Sequence, residues 1–166
     1  MKTKTILLTL TTLFAAAESG DAQTAPNDKK VLVAYFSHSG NTRAVAERIA
    51  AATGADLFEI VPQKPYPAEY RAVVDQTRRE IAADYRPALK TDLPDAGRYD
   101  VIYIGSPCWW ATVAPPVATF LTSYDFAGKT VVPFMTHEGS RMGRSEEDIR
   151  KLCPKSVSYT HLTLPT

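Results

Sequence analysis

Cysteine is nearly absent from this chain: among 166 residues it occurs twice, as Cys108 and Cys153. Two thiols are too few for a zinc or iron–sulfur framework, which needs more ligands, and too few for the disulfide-dense scaffold of a small secreted module. They could pair in an oxidising compartment, but separation along the chain says nothing about Cβ geometry, and two isolated thiols is the simpler reading. An excess of charge of one sign is missing as well. With 19 Lys and Arg against 18 Asp and Glu, the formal net charge is +1, which removes the electrostatic basis for a nucleic-acid partner or an anionic membrane. No apolar run reaches transmembrane length. There is no internal repeat, no low-complexity tract and no Gly-Lys-Ser/Thr phosphate motif. What is present is 45% apolar and 22% charged residues, the composition of a globular domain long enough to bury one core.

The first residues stand apart. Met1-Lys2-Thr3-Lys4 forms a short basic n-region and Ile6 to Ala17 an apolar h-region, and small residues at Gly20 and Ala22, or at Ala15 and Ala17, offer two cleavage sites. That is the pattern of a secretory signal. Residues 1–22 therefore read as a signal peptide, 23–30 as a linker and 31–155 as the folded domain, exported and periplasmic.

Within the domain, extended and helical patterns alternate. Val31 to Phe36 is an almost unbroken apolar run, as expected of a strand buried on both faces of a parallel sheet. Thr42 to Thr53 places Val45, Ile49 and Ala52 on one helical face, and Gly54 is a natural C′ residue. Leu57 to Val61 is a second strand. Tyr70, Val73, Val74, Thr77 and Ile81 recur at helical spacing, and Val101 to Ile104 is a third strand. Pro115 and Pro116 open a helix through Val117, Phe120 and Leu121. A fourth strand spans Thr130 to Met135, although Pro133 removes a possible ladder bond. Ser145 with Asp148 has the form of a capping box opening a helix to Leu152. This alternation predicts an α/β fold, an open doubly wound parallel sheet. Residues 156–166 hold many Thr and end in Pro165, so they read as a truncated or non-native tail. The sheet is accordingly expected to lack its fifth strand and last helix.

Three segments follow carboxyl ends of strands, where an open parallel sheet binds ligands. In the first, Ser37, Ser39 and Thr42 bring hydroxyls, Gly40 permits a tight turn, and a helix N-terminus follows at once. That combination suits an anion without any lysine. Read alone, it equally suits a polar helix cap. His38 in this segment reads as a loop residue facing solvent. In the second, Gly105 to Thr112, the adjacent Trp109 and Trp110 lie outside helical periodicity. One indole is expected to plug the helix–sheet core and the other to face a planar ligand. In the third, Thr136 to Ser140, polar groups form a second wall. His137 and Glu138 have the residue types of an acid–base pair, though simple loop hydrogen bonding is the stronger expectation.

Together these residues resemble the flavodoxin family. Ser37-His38-Ser39-Gly40-Asn41-Thr42 matches its Ser/Thr-x-Ser/Thr-Gly-x-Thr phosphate loop. A bacterial flavodoxin-like subgroup is similar over about Lys30 to Pro154, through Tyr66-Pro67-x-Glu69-Tyr70, Pro107-x-Trp109-Trp110 and Thr136-His137-Glu138-Gly139-Ser140. The resemblance implies the strand order 2-1-3-4-5 and FMN as cofactor. Ser37, His38, Ser39, Gly40, Asn41 and Thr42 would form the phosphate loop. Pro107, Cys108, Trp109 and Trp110 would border the ring, and Thr136, His137, Glu138, Gly139 and Ser140 its other edge. Two departures stand out. Ala111 follows the tryptophans where many flavodoxins carry a glycine, and the chain is near neutral where soluble carriers are acidic.

The implied function is electron transfer to a redox partner protein or a small acceptor. An FMN-dependent NAD(P)H:quinone-type oxidoreductase, which often completes its pocket as a homodimer, is the alternative. A flavin-free interaction domain is the third reading.

Overall fold

The computed structural model describes residues 29–157 and the strand residues 162–165. The expected signal peptide lies outside the described residues, as does most of the linker. Among the described residues no helix is long and apolar enough to cross a membrane.

β1 (Val31–Tyr35) leads through a polar turn into α1 (Asn41–Thr53), then β2 (Asp56–Glu59) and α2 (Tyr70–Ala82). β3 (Val101–Trp109) follows, then the short β4 (Thr112–Val113), α3 (Pro115–Ser123), β5 (Thr130–His137), α4 (Ser145–Leu152) and β6 (Leu162–Pro165). The sheet order is β2-β1-β3-β5-β6 with every neighbouring pair parallel, while β4 pairs antiparallel with β3 off this path. With β4 set aside, this is the 2-1-3-4-5 order of the doubly wound fold.

The expectation that the sheet lacks its fifth strand is corrected. β6 pairs with β5 from Phe134↔Leu162 to His137↔Pro165. Thr and Pro argue against an interior strand, but β6 stands at the edge of the sheet, where Thr is favourable and a last-residue proline is tolerated. Pro133 is accommodated by parity. Thr130 N–H bonds to Asp100 O on the β3 side, so alternate residues 130, 132, 134 and 136 turn their backbone groups toward β3. Pro133 has the opposite parity, and its missing N–H would face the outer edge one residue before the β6 ladder begins.

A further correction concerns α4. The capping box does not form: Arg144 is the N-cap, without a side-chain cap bond, and Ser145 Oγ is buried with no partner among the described residues. Glu146, Glu147 and Asp148 in the first turn and Arg150 and Lys151 in the last suit the helix dipole instead.

Two cores flank the sheet. The larger joins Leu32, Ile102, Ile104 and Val131 to Val117, Phe120 and Leu121 of α3 and Ile149 of α4. The smaller joins Val33, Tyr35 and Phe134 to Ala46 of α1. α1 faces the sheet through Thr42 and Ala46, flanked by Val45, Ile49 and Ala50, whereas Ala52 is exposed and leaves the expected face. Gly54 closes the helix as expected, at φ 68° with its N–H on Ala50 O. Gly105 lets β1, β3 and β5 pack closely, because a Cβ there would lie 2.3 Å from Phe134 Cζ.

Candidate functional site

The first loop is built around Gly40, which takes φ 93° as the N-cap of α1, a conformation natural to glycine alone. Gly40 N–H donates to Ser37 Oγ at 3.1 Å, and the first helical bond is Ala44 N–H to Gly40 O at 3.0 Å. The N-cap contributes no side-chain cap bond. The N–H groups of the first turn have no acceptor within a helix, and the exposed Ser39 and Asn41 stand beside them. Thr42 turns inward instead. Its Oγ1 lies 2.8 Å from Thr136 Oγ1, both side chains buried, and joins the start of α1 to the end of β5.

His38 is exposed but not idle. Its Nε2 donates to Pro67 O at 2.8 Å, and its ring meets Trp109 edge-on at 5.8 Å. The histidine thus latches the first loop to the segment before α2. Behind it Trp109 packs edge-on against Phe36 and Tyr66. Tyr66 O–H donates to Glu80 Oε2 at 2.6 Å, and burial followed by this carboxylate pushes the phenol far above its ordinary range. The bond to Glu80 pins the aromatic cluster to α2.

The second segment differs most from expectation. Gly105 to Trp109 is not a loop but the continuation of β3. The chain then reverses through Trp110-Ala111 into β4, with Cys108↔Val113 and Trp109↔Thr112 paired. Trp110 and Ala111 take φ 52° and 62°, as a two-residue type I′ hairpin requires at both central positions. Each non-glycine residue in that region costs about 1 kcal/mol or more. Such turns are normally signalled by Asn-Gly or Asp-Gly, so nothing in Trp-Ala announces one. The two indoles have different surroundings. Trp109 joins the aromatic cluster, while Trp110 is 46% exposed with the Arg78 guanidinium over its ring, 5.6 Å from the centroid.

The third segment is likewise partly strand, since β5 runs through Thr136 and His137. Gly139, at φ 112°, donates its N–H to His137 Nδ1 at 3.0 Å. This bond places the ring proton on Nε2 and spends Nδ1 on the turn rather than on Glu138.

The three segments converge on one cleft of about 550 Å³, lined by His38, Ser39, Asn41, Pro107, Cys108, Trp109, Trp110, Thr136, His137, Glu138 and Ser140. Ser37, Gly40, Thr42 and Gly139 do not line it; they shape the turns behind it. Sequence reasoning missed the fourth wall, formed by Ala68, Tyr70, Val73, Val74 and Thr77. Their helical spacing was visible, but periodicity alone does not separate a face turned to a core from one turned to a cleft. Tyr70, 69% exposed, lies at the rim. No lining residue is Lys or Arg; Arg43, the nearest cation in sequence, pairs with Glu59 at 2.5 Å. Such a site offers backbone and hydroxyl donors to an anion at one end, and aromatic faces with a polar edge to a flat ring.

Cys108 borders the cleft and Cys153 lies in the larger core, and they are not bridged. Cys153 Sγ lies 3.9 Å from Leu121 O, and burial pushes its thiol up to about 11.

A family model described as Flavodoxin matches residues 30–163. The chain is 35% identical to a protein from Bacteroides eggerthii DSM 20697 whose crystal structure is described as that of a flavoprotein, with a TM-score of 0.75 over 83% of this chain and 88% of that one. A similarly described protein from Bacteroides uniformis ATCC 8492 is also 35% identical, with a TM-score of 0.74 over 83% and 92% of the two chains. A flavoprotein from Lactobacillus acidophilus NCFM, crystallised in complex with FMN, is 26% identical, with a TM-score of 0.67 over 82% and 92%. No curated protein matches the sequence. The match across 30–163 and the parallel order of the sheet agree: the chain belongs to the flavodoxin family.

Proposed function

We propose that this chain is an electron-transfer flavoprotein, exchanging electrons with a redox partner protein or a small acceptor. FMN is the cofactor that follows from membership of the flavodoxin family and from the FMN complex of the Lactobacillus acidophilus relative. One observation carries the placement: the uncapped N-terminus of α1 opens at one end of a cleft whose walls are aromatic and apolar. The donor set fits the group. Ser39, Asn41 and the first N–H groups of α1 would hold the phosphate, with the helix dipole favouring its charge. Trp109, Trp110 and Pro107 would border the ring, and Thr136 to Ser140 its polar edge.

The bound flavin supplies the redox chemistry, and the protein sets its potential by favouring one redox state over another. The residues bind, orient and exclude water; none has to act as nucleophile or general base. The Met1–Ala22 segment supports export to the periplasm as the setting, which fractionation of cells expressing the full chain would check.

The test is flavin titration. FMN is expected to bind tightly and riboflavin more weakly. Ser39→Ala and Asn41→Ala should each weaken FMN about tenfold, near 1.4 kcal/mol, while leaving riboflavin within about twofold. A folded chain that binds neither flavin refutes the proposal and supports a flavin-free interaction domain. Prompt anaerobic bleaching of bound flavin by NADH or NADPH would instead establish the NAD(P)H:quinone-type reductase.

A further inference from the structure

The hairpin that carries Trp110 into the cleft is strained, and what restrains it comes from outside the cleft. Trp110 and Ala111 both stand at positive φ without being glycine. Such residues persist only where their surroundings over-determine the conformation. The restraints arrive from the segment entering α4. Arg144 N–H donates to Ala111 O at 2.7 Å. Thr112 Oγ1 donates to Asp148 Oδ2 at 2.5 Å, and the same carboxylate oxygen accepts from Arg144 Nε at 2.9 Å. Gly143, at φ 54°, lies so close that a Cβ on it would stand 2.4 Å from Ala111 O. On the hairpin side the partners are Ala111, which directly follows Trp110, and Thr112, the residue after it.

We propose that Thr112, Gly143 and Asp148 are positioning residues that hold Trp110 as a fixed wall of the cleft. Thr112 and Asp148 line a separate cleft on the far side of the hairpin, bounded by α2, α3 and α4, so they touch the indole's neighbours rather than the ligand space. The bare approach of Gly143 lets Arg144 reach the Ala111 carbonyl, and Asp148 gathers Thr112 and Arg144 onto one oxygen. With these bonds in place the turn has a single conformation; without them its strain is relieved by reorienting Trp110. The consequence for the cofactor rests on the proposal that the cleft binds FMN.

The chain holds two tryptophans, so 19F NMR of the intact chain labelled with 5-fluorotryptophan gives one resonance for each. Trp110→Phe assigns them. In the flavin-free wild type the Trp110 resonance is expected to be sharp. Thr112→Val removes one hydroxyl at nearly constant volume. It should broaden or move the Trp110 resonance, leave that of Trp109 in place, and weaken FMN binding roughly fivefold or more. Thr112→Ser should restore both readouts, and Gly143→Ala should exceed the effect of Thr112→Val. A folded Thr112→Val chain whose Trp110 resonance and FMN affinity match wild type within about twofold overturns the proposal. So does a Thr112→Ser chain as impaired as Thr112→Val, because the hydroxyl would then not be the cause. Should the wild type bind no FMN, the proposed function fails on its own, and the Trp110 resonance of the flavin-free chain still decides whether the clamp exists.

Discussion

The bond between Thr42 and Thr136 ties the start of α1 to the end of β5 beside the cleft, and its loss should register in both stability and binding. The two hydroxyl oxygens lie 2.8 Å apart, and the residues are 1% and 5% exposed. Thr136→Val keeps the shape of the side chain but strands the Thr42 hydroxyl where water does not reach it. An unsatisfied buried hydroxyl costs about 1–3 kcal/mol, which in a domain of this size lowers the melting temperature by roughly 2–4 °C per kcal/mol. Replacing both residues by Val removes donor and acceptor together, and that change is close to neutral. The double-mutant cycle should therefore show a coupling of about 1–2 kcal/mol, with the double variant more stable than the two single effects predict. Binding gives a second readout. Thr136 lines the cleft and Thr42 does not, so Thr136→Val should weaken FMN more than Thr42→Val does. Urea unfolding of the four chains measures the coupling, and additive single effects would refute the claim that the two hydroxyls satisfy each other.

Three further outcomes are expected. Gly105→Ala forces a methyl to within 2.3 Å of Phe134 Cζ and 2.8 Å of Tyr35 Cβ; overpacking should cost about 1–3 kcal/mol in urea unfolding, and Phe134→Leu should recover part of it. Glu69 caps α2 by accepting from Arg71 N–H and Ala72 N–H, so Glu69→Ala should cost about 1 kcal/mol by the same measurement. Burial holds the Cys153 thiol protonated up to about 11 whereas the unfolded chain releases that proton near 9. A folded-state value above the unfolded one contributes stability in full below pH 9 and loses it as pH rises toward 11. Unfolding free energies across this window should thus fall less in Cys153→Ala than in wild type, by an amount of order 2 kcal/mol.

The sheet and the turn into α1 were legible for definite reasons. Val31 to Phe36 is apolar on both faces, Gly40 permits the tight turn that opens α1, and Gly54 closes that helix by the rule for left-handed C′ residues. Other features left no local trace. The Trp110-Ala111 hairpin violates turn preferences and exists because the α4 segment restrains it from far along the chain. Asp148 has the spacing of a capping residue, yet Thr112, distant in sequence, takes its carboxylate. β6 reads as an unsuitable interior strand because its edge position is a property of the sheet, not of Leu162 to Pro165. The α2 wall of the cleft followed the same logic: Val73, Val74 and Thr77 carry helical spacing in either environment.

At the end of the cleft where α1 begins, no lining residue among those described is Lys or Arg, Arg43 is turned to Glu59, and the donors on offer are hydroxyls and oriented peptide N–H groups. Mobile ions screen separated exposed charges over about 8–10 Å at ordinary ionic strength, but they do not intervene between a bound oxygen and an N–H in contact with it. A site assembled this way keeps its affinity across the swings in salt that weaken a site held together by lysines. Recognition at this end is decided on contact, by shape and by the direction of each donor.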